Sequence, residues 1–136
     1  MNASAPGGVT RNVAAQALPD LLESPPRAAV TYVRDGVVDL VPVRARTLGE
    51  EQFFAVSCRA PGDPADPGDL DGAEVVLTRD DGPYWWQLRA INVRGVAERL
   101  GTGPDGRADP GARWYRLTVR SVVAWDYGAM REQDQP

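Results

Sequence analysis

The spacing of turn signals limits what this chain can become more than any other feature. From Arg27 onward, runs of alternating apolar and polar residues are separated by Asp-Gly, Gly-Glu and Asp-Asp-Gly-Pro punctuation, with longer Gly/Pro/Asp stretches at 59–72 and 101–112. Parallel strands need a crossover of about a dozen or more residues, usually helical. No helical pattern lies between these runs, so the sequence points away from a doubly wound sheet and toward antiparallel pairing.

The strands follow from that punctuation. Ala28 to Arg34 is rich in Val, Thr and Tyr and predicts a strand. Asp35-Gly36 is a two-residue hairpin turn, and Val37 to Leu48 is the return strand. Pro42 interrupts its donor row, which marks an edge or a bulge. Gly49 and Glu50 lead into a third strand, Gln52 to Ser57. Strands resume over Ala73 to Arg79 and Tyr84 to Leu100. In the latter, Trp86 and Leu88 take even positions but Ile91 and Val93 odd ones, the phase shift of a β-bulge. The last strand places Tyr115, Leu117, Val119, Ser121, Val123, Trp125 and Tyr127 on one face, with Arg116, Thr118 and Arg120 on the other. The expected fold is mainly β: about six antiparallel strands in a small closed barrel, with a short leading helix. That helix is capped by Thr10 or Asn12, runs over Val13 to Leu18, and gains a further turn opened by Pro19, with Leu21 and Leu22. Ser24, Pro25 and Pro26 end it. Residues 1–17 are expected as a flexible N-terminal segment, 18–128 as the barrel domain and 129–136 as a flexible tail.

Composition then removes chemistries. At 136 residues the chain suits one domain and needs no disulfide or metal staple. It holds no His and no Lys, so all 15 basic residues are Arg. Ser-His-Asp and Cys-His catalysis, a lysine Schiff base and a P-loop lysine are therefore excluded within the chain. One cysteine, Cys58, gives no disulfide framework and lacks a histidine base to act as a nucleophile. A net charge of −4 argues against coating nucleic acid or an anionic membrane. Residues 1–9 carry no apolar signal segment, and a cytoplasmic protein is expected. Redox chemistry, if any, falls to a bound cofactor, with Arg as the anion binder.

Four constellations stand out. Arg44 and Arg46 are two apart and share one strand face; Ser57 and Arg59 end the neighbouring strand. Together they make either a phosphate site or a solvated polar face. Tyr84-Trp85-Trp86-Gln87 cannot all face one core, so Trp85 or Trp86 meets a ligand, a subunit interface or the leading helix. Arg94-Gly95 puts a glycine in mid-strand, which reads as a bulge, a barrel corner or a close ligand approach. The loop at 59–72, with Asp63, Asp66, Asp69 and Asp71, is either functional or a mobile insertion; its spacing does not match a calcium loop.

Taken together, Leu18-Pro19-Asp20-Leu21-Leu22, the Val33 to Gly36 hairpin, Leu40-Val41-Pro42-Val43-Arg44, the strand ending near Ser57, Ile91-Asn92-Val93-Arg94-Gly95-Val96-Ala97 and Val123-Ala124-Trp125-Asp126 resemble the FMN-binding split-barrel family. These are the pyridoxamine 5′-phosphate oxidase-like flavoproteins. The resemblance covers about Leu18 to Tyr127 and implies a split β-barrel. It further implies an oxidoreductase-type homodimer that holds FMN at the subunit interface, or takes F420 as a dissociable cosubstrate. By the same resemblance Val43, Arg44, Arg46, Ser57 and Arg59 are the residues toward the FMN phosphate and ribityl chain, and Trp86 of a second subunit stacks near the ring. A small-molecule substrate goes with that reading; haem does not, for want of an axial histidine. The chain departs from the family where a Lys at a helix start is usual: here the 59–72 loop follows, and Arg59 stands nearest. A divergent, cofactor-free barrel that binds a ligand or a protein is the alternative.

Overall fold

The computed structural model describes residues 12–13, 18–23, 25, 27–81 and 89–126. Their elements are β1 (Asn12–Val13), α1 (Pro19–Glu23), β2 (Arg27–Arg34), β3 (Val37–Pro42), β4 (Arg44–Leu48), β5 (Glu51–Ser57), β6 (Glu74–Asp80), β7 (Arg89–Leu100) and β8 (Ala112–Asp126). All pairs are antiparallel, in the order β3-β2-β6-β7-β8-β5-β4, with β1 added against β8. The fold is mainly β, as expected.

The strand count corrects the sequence reading. Residues 37–48 form two strands, not one, and these occupy opposite ends of the hydrogen-bonded path. Val43 alone separates them, so the two edges of the sheet lie about two residues of chain apart. Only a sheet rolled into a barrel satisfies this. The hydrogen-bonded path itself stays open, and the Val43 N–H donates to the Ala28 carbonyl at 3.1 Å, carrying the β2–β3 ladder one residue past Pro42. Pro42, without an N–H, sits at the break.

Val30, Val41, Phe54, Leu77, Ile91 and Tyr115 are among the side chains that fill the interior. Phe54 and Tyr115 stack with centroids 5.0 Å apart. Asp35 and Gly36 both take positive φ, 52° and 77°, which the two-residue hairpin turn requires.

A register shift lies in β8; the one expected between Leu88 and Ile91 falls at the edge of residues 82–88, outside the described set. Arg94 pairs with Ser121 and Gly95 with Val119, so Arg120 is the extra residue. β7 keeps one inward phase through Ile91, Val93, Gly95 and Ala97. β8 changes phase: Tyr115 and Leu117 point inward, and beyond the bulge Ala124 does, while Val123 is exposed. The single-faced reading of the last strand therefore fails at Arg120. Gly95 is the close-approach position, since a Cβ there would stand 2.2 Å from the Thr118 carbonyl oxygen.

Two plugs close the barrel ends. At one, α1 and the residue before it insert Leu21 and Leu18, and buried Arg79 of β6 donates to the Leu21 and Leu22 carbonyls and to Gln52 Oε1. Burial lowers the Arg79 pKa to about 10. The helix is Pro19–Glu23; Asn12–Val13 belong to a strand, so the expected helical run from Val13 does not form there, and residues 14–17 lie outside the described set. At the other end the 59–72 segment is a folded cap. Asp63, Asp66 and Asp69 each accept from the N–H two residues on, at 2.9, 2.9 and 3.0 Å. Leu70 enters the core, and its N–H donates to Tyr115 Oη at 3.1 Å. Arg113 pairs with Asp66. Among the described residues no helix is long and apolar enough to cross a membrane.

Candidate functional site

β4 forms the barrel edge nearest the 101–111 loop, and its outward face carries the candidate cations. Arg44 lies opposite Ala55, Ala55 opposite Trp114, and Trp114 opposite Leu100, a row across four strands. The next row is Arg46, Phe53, Arg116 and Glu98. Directly paired antiparallel residues share a face, so Arg44 and Arg46 stand over a small outer apolar cluster of Phe53, Ala55 and Trp114, flanked by Leu100 and Ala112.

The 101–111 loop folds onto that cluster. Asp109 Oδ2 accepts from Trp114 Nε1 at 2.9 Å and from Arg44 Nη2 at 3.0 Å. The Arg44 guanidinium carbon stands 5.4 Å from the Trp114 ring centroid, a cation–π distance. Asp105 Oδ2 is 4.0 Å from Arg46 Nη1. The Trp114 indole N–H, then Arg44, hold the Asp109 carboxyl below its ordinary pKa. Arg44, Arg46 and Arg107 line one cleft of about 260 Å3 with Asp105, Asp109 and Trp114. A second cleft of about 240 Å3 lies on the other side of Trp114, beside Arg99 and Thr102.

The expected residues divide as follows. Arg44 and Arg46 come together. Ser57 is exposed at the end of β5, two residues beyond Ala55 and on the same face. Arg59 follows in an exposed segment, and its charge acts on Asp66, behind Arg113. Val43 turns the other way and packs against the interior core. Trp85 and Trp86 lie outside the described residues. Arg107, Trp114 and the two loop acids are additions that the sequence reading did not single out. The donor set suits an anion such as phosphate, but the acceptor position between Arg44 and Trp114 is held by Asp109.

A mainly β barrel, split at Val43 and bearing an arginine-lined cleft on its outer face, defines the class: a split barrel. Solved structures have the same fold. An FAD-binding protein from Mycobacterium smegmatis is similar with a TM-score of 0.61 at 18% identity, over 85% of this chain and 96% of that one. An FAD-binding protein from Mesorhizobium loti gives 0.60 at 13%, over 86% and 96%. A Corynebacterium glutamicum protein, provisionally named a pyridoxamine 5′-phosphate oxidase, gives 0.59 at 14%, over 85% and 96%. At these identities the likeness establishes the fold. No protein-family model and no curated protein matches the chain.

Proposed function

We propose that this chain is a split-barrel protein that binds a flavin nucleotide and serves an oxidoreductase-type reaction. The observation that carries the reading is the convergence of Arg44, Arg46 and Arg107 on one cleft beside Trp114. Arginine forks suit phosphate oxygens, and an adjoining apolar shelf suits a flat ring. The names of the similar structures support a flavin. Ser57 and Arg59 extend the polar side toward the ribityl chain, and the Val43 backbone marks the edge beneath it. FMN is the nucleotide that fits one phosphate cluster; F420 as a dissociable cosubstrate is the close variant. Bound flavin supplies the electron or hydride transfer, and the protein supplies binding and orientation.

A homodimer accompanies this reading, with Trp86 of the second subunit toward the ring. Val33, Val37, Val38 and Leu40 on the first hairpin and Val119, Val122 and Val123 on β8 are exposed, and a second copy would cover such apolar surface.

The test is the visible absorption spectrum after incubation with excess FMN and desalting. Retained flavin bands are expected. A colourless protein that refuses both FMN and F420 would leave the second reading, a cofactor-free binding module, which the carboxylates already paired with Arg44 and Arg46 favour.

A further inference from the structure

The most fully built anion cradle in the described molecule is occupied by the chain's own carboxylate. Asp109 Oδ2 receives the Trp114 indole N–H and an Arg44 N–H, and the Gly111 N–H also faces this carboxyl. Guanidinium, indole edge and backbone amide are the donors that recognise an external phosphate or carboxylate. Four residues earlier in the same loop, Asp105 stands against Arg46. Two acids of one loop thus hold the two arginines of the candidate phosphate site.

The loop is short and rich in residues that bend the backbone. Gly101, Gly103, Gly106 and Gly111 alternate with Pro104 and Pro110, and Gly106 sits at φ 82°. Besides these side-chain bonds, Cys58 ties it to the barrel, its N–H donating to the Gly111 carbonyl at 3.0 Å and its Sγ to the Pro110 carbonyl at 3.7 Å, while the Gly103 N–H closes the loop on the Arg107 carbonyl at 2.8 Å. Arg44 is 61% exposed and Asp109 34%, and ion pairs in such positions are weak and salt-sensitive. Arg107 lines the same cleft and has no carboxylate partner among the described residues, so the loop also carries a cation for an incoming anion.

We infer that residues 101–111 are an internal anion gate: Asp109 and a phosphate-bearing ligand compete for Arg44 and Trp114, and loading requires the Asp109 carboxylate to move off them while Arg107 stays at the cleft. This rests on the flavin-nucleotide reading for the ligand's identity, not for the competition itself. A ligand that binds only the open form has its affinity reduced by the open fraction. With the gate open about one-tenth of the time, removing the competing charge tightens binding about tenfold.

Two arms test it on the full chain. In the first, calorimetric titration with FMN compares the wild type with Asp109→Asn and Arg44→Ala. Asp109→Asn is expected to bind about tenfold tighter, and Arg44→Ala to lose FMN. In the second, inorganic phosphate is added to wild-type protein during limited trypsin digestion, and cleavage after Arg107 is followed by mass spectrometry. Phosphate is expected to accelerate that cut, and to have no effect in Arg44→Ala. If phosphate leaves the cut unchanged and Asp109→Asn binds FMN no tighter, the gate is overturned, while Arg44-dependent FMN binding keeps the flavin reading intact. If FMN binds no variant but phosphate still opens the loop, the flavin reading falls and the gate stands. If neither ligand acts, both fall.

Discussion

Replacing Gly95 with alanine is the sharpest test of how β7 meets β8. An added Cβ would stand 2.2 Å from the Thr118 carbonyl oxygen, 2.9 Å from its carbonyl carbon and 3.1 Å from Leu117 Cγ. Ordinary carbon–oxygen contacts lie at about 3.3–3.6 Å, so the strands must part by roughly 1 Å. The obstructing atoms are backbone, beside the Arg120 bulge, and cannot rotate away. Overpacking of a tight core costs about 1–3 kcal/mol; a clash with backbone in the sheet interior belongs at the upper end, about 3 kcal/mol. For a domain of this size that is a fall in Tm of roughly 12 °C. The control is Gly101→Ala, where no atom lies within 4 Å of the added Cβ and φ is not positive; it should be neutral or gain a few tenths of a kcal/mol. Urea denaturation followed by circular dichroism reads both. A Gly95→Ala loss below about 1 kcal/mol, or equal effects at the two sites, would refute the close-approach argument.

Arg79→Met strips the buried donors from the Leu21 and Leu22 carbonyls and from Gln52, and should cost about 2 kcal/mol, the orphaned acceptors outweighing the relief of burying a charge; amide exchange at Leu21 and Leu22 should quicken, and a more stable variant would contradict this. Leu70→Ala opens a hole under the 59–72 cap and should cost about 2–5 kcal/mol in a denaturant melt. Asp66 is held below its ordinary pKa by Arg113 first and then the Gly68 N–H; its contribution is full above the unfolded value of about 4 and lost as pH falls through the folded pKa. Asp66→Asn should therefore lower stability at pH 7 and flatten the acid limb of the stability curve, and an unchanged limb would count against the pairing.

Much of the sheet was legible because period-two alternation and turn chemistry are local. The Asp35-Gly36 hairpin and the strands at 51–57 and 74–80 follow from neighbours in sequence, whereas the Thr118 backbone that Gly95 meets lies 23 residues away. The Arg120 bulge did not, because valines at 119, 122 and 123 occupy both phases and hide the slip. The division of 37–48 between opposite sheet edges is a property of closure, which Pro42 hints at without deciding. Arg79 carried a signal that went unread: it continues the inward phase of Val75 and Leu77. In the candidate site, the i, i+2 spacing placed Arg44 and Arg46 on one face. Asp109, which meets Arg44 across 65 residues, leaves no local trace.

The most direct test of the central claim is the affinity of FMN against that of riboflavin, which lacks only the phosphate, for the wild type and for the Arg44→Ala/Arg46→Ala double variant. The wild type should prefer FMN by about tenfold or more, as charge-assisted bonds of about 1.5–3 kcal/mol imply, and the double variant should bind the two alike. Equal affinities in the wild type, or a preference that survives loss of both arginines, would contradict the site.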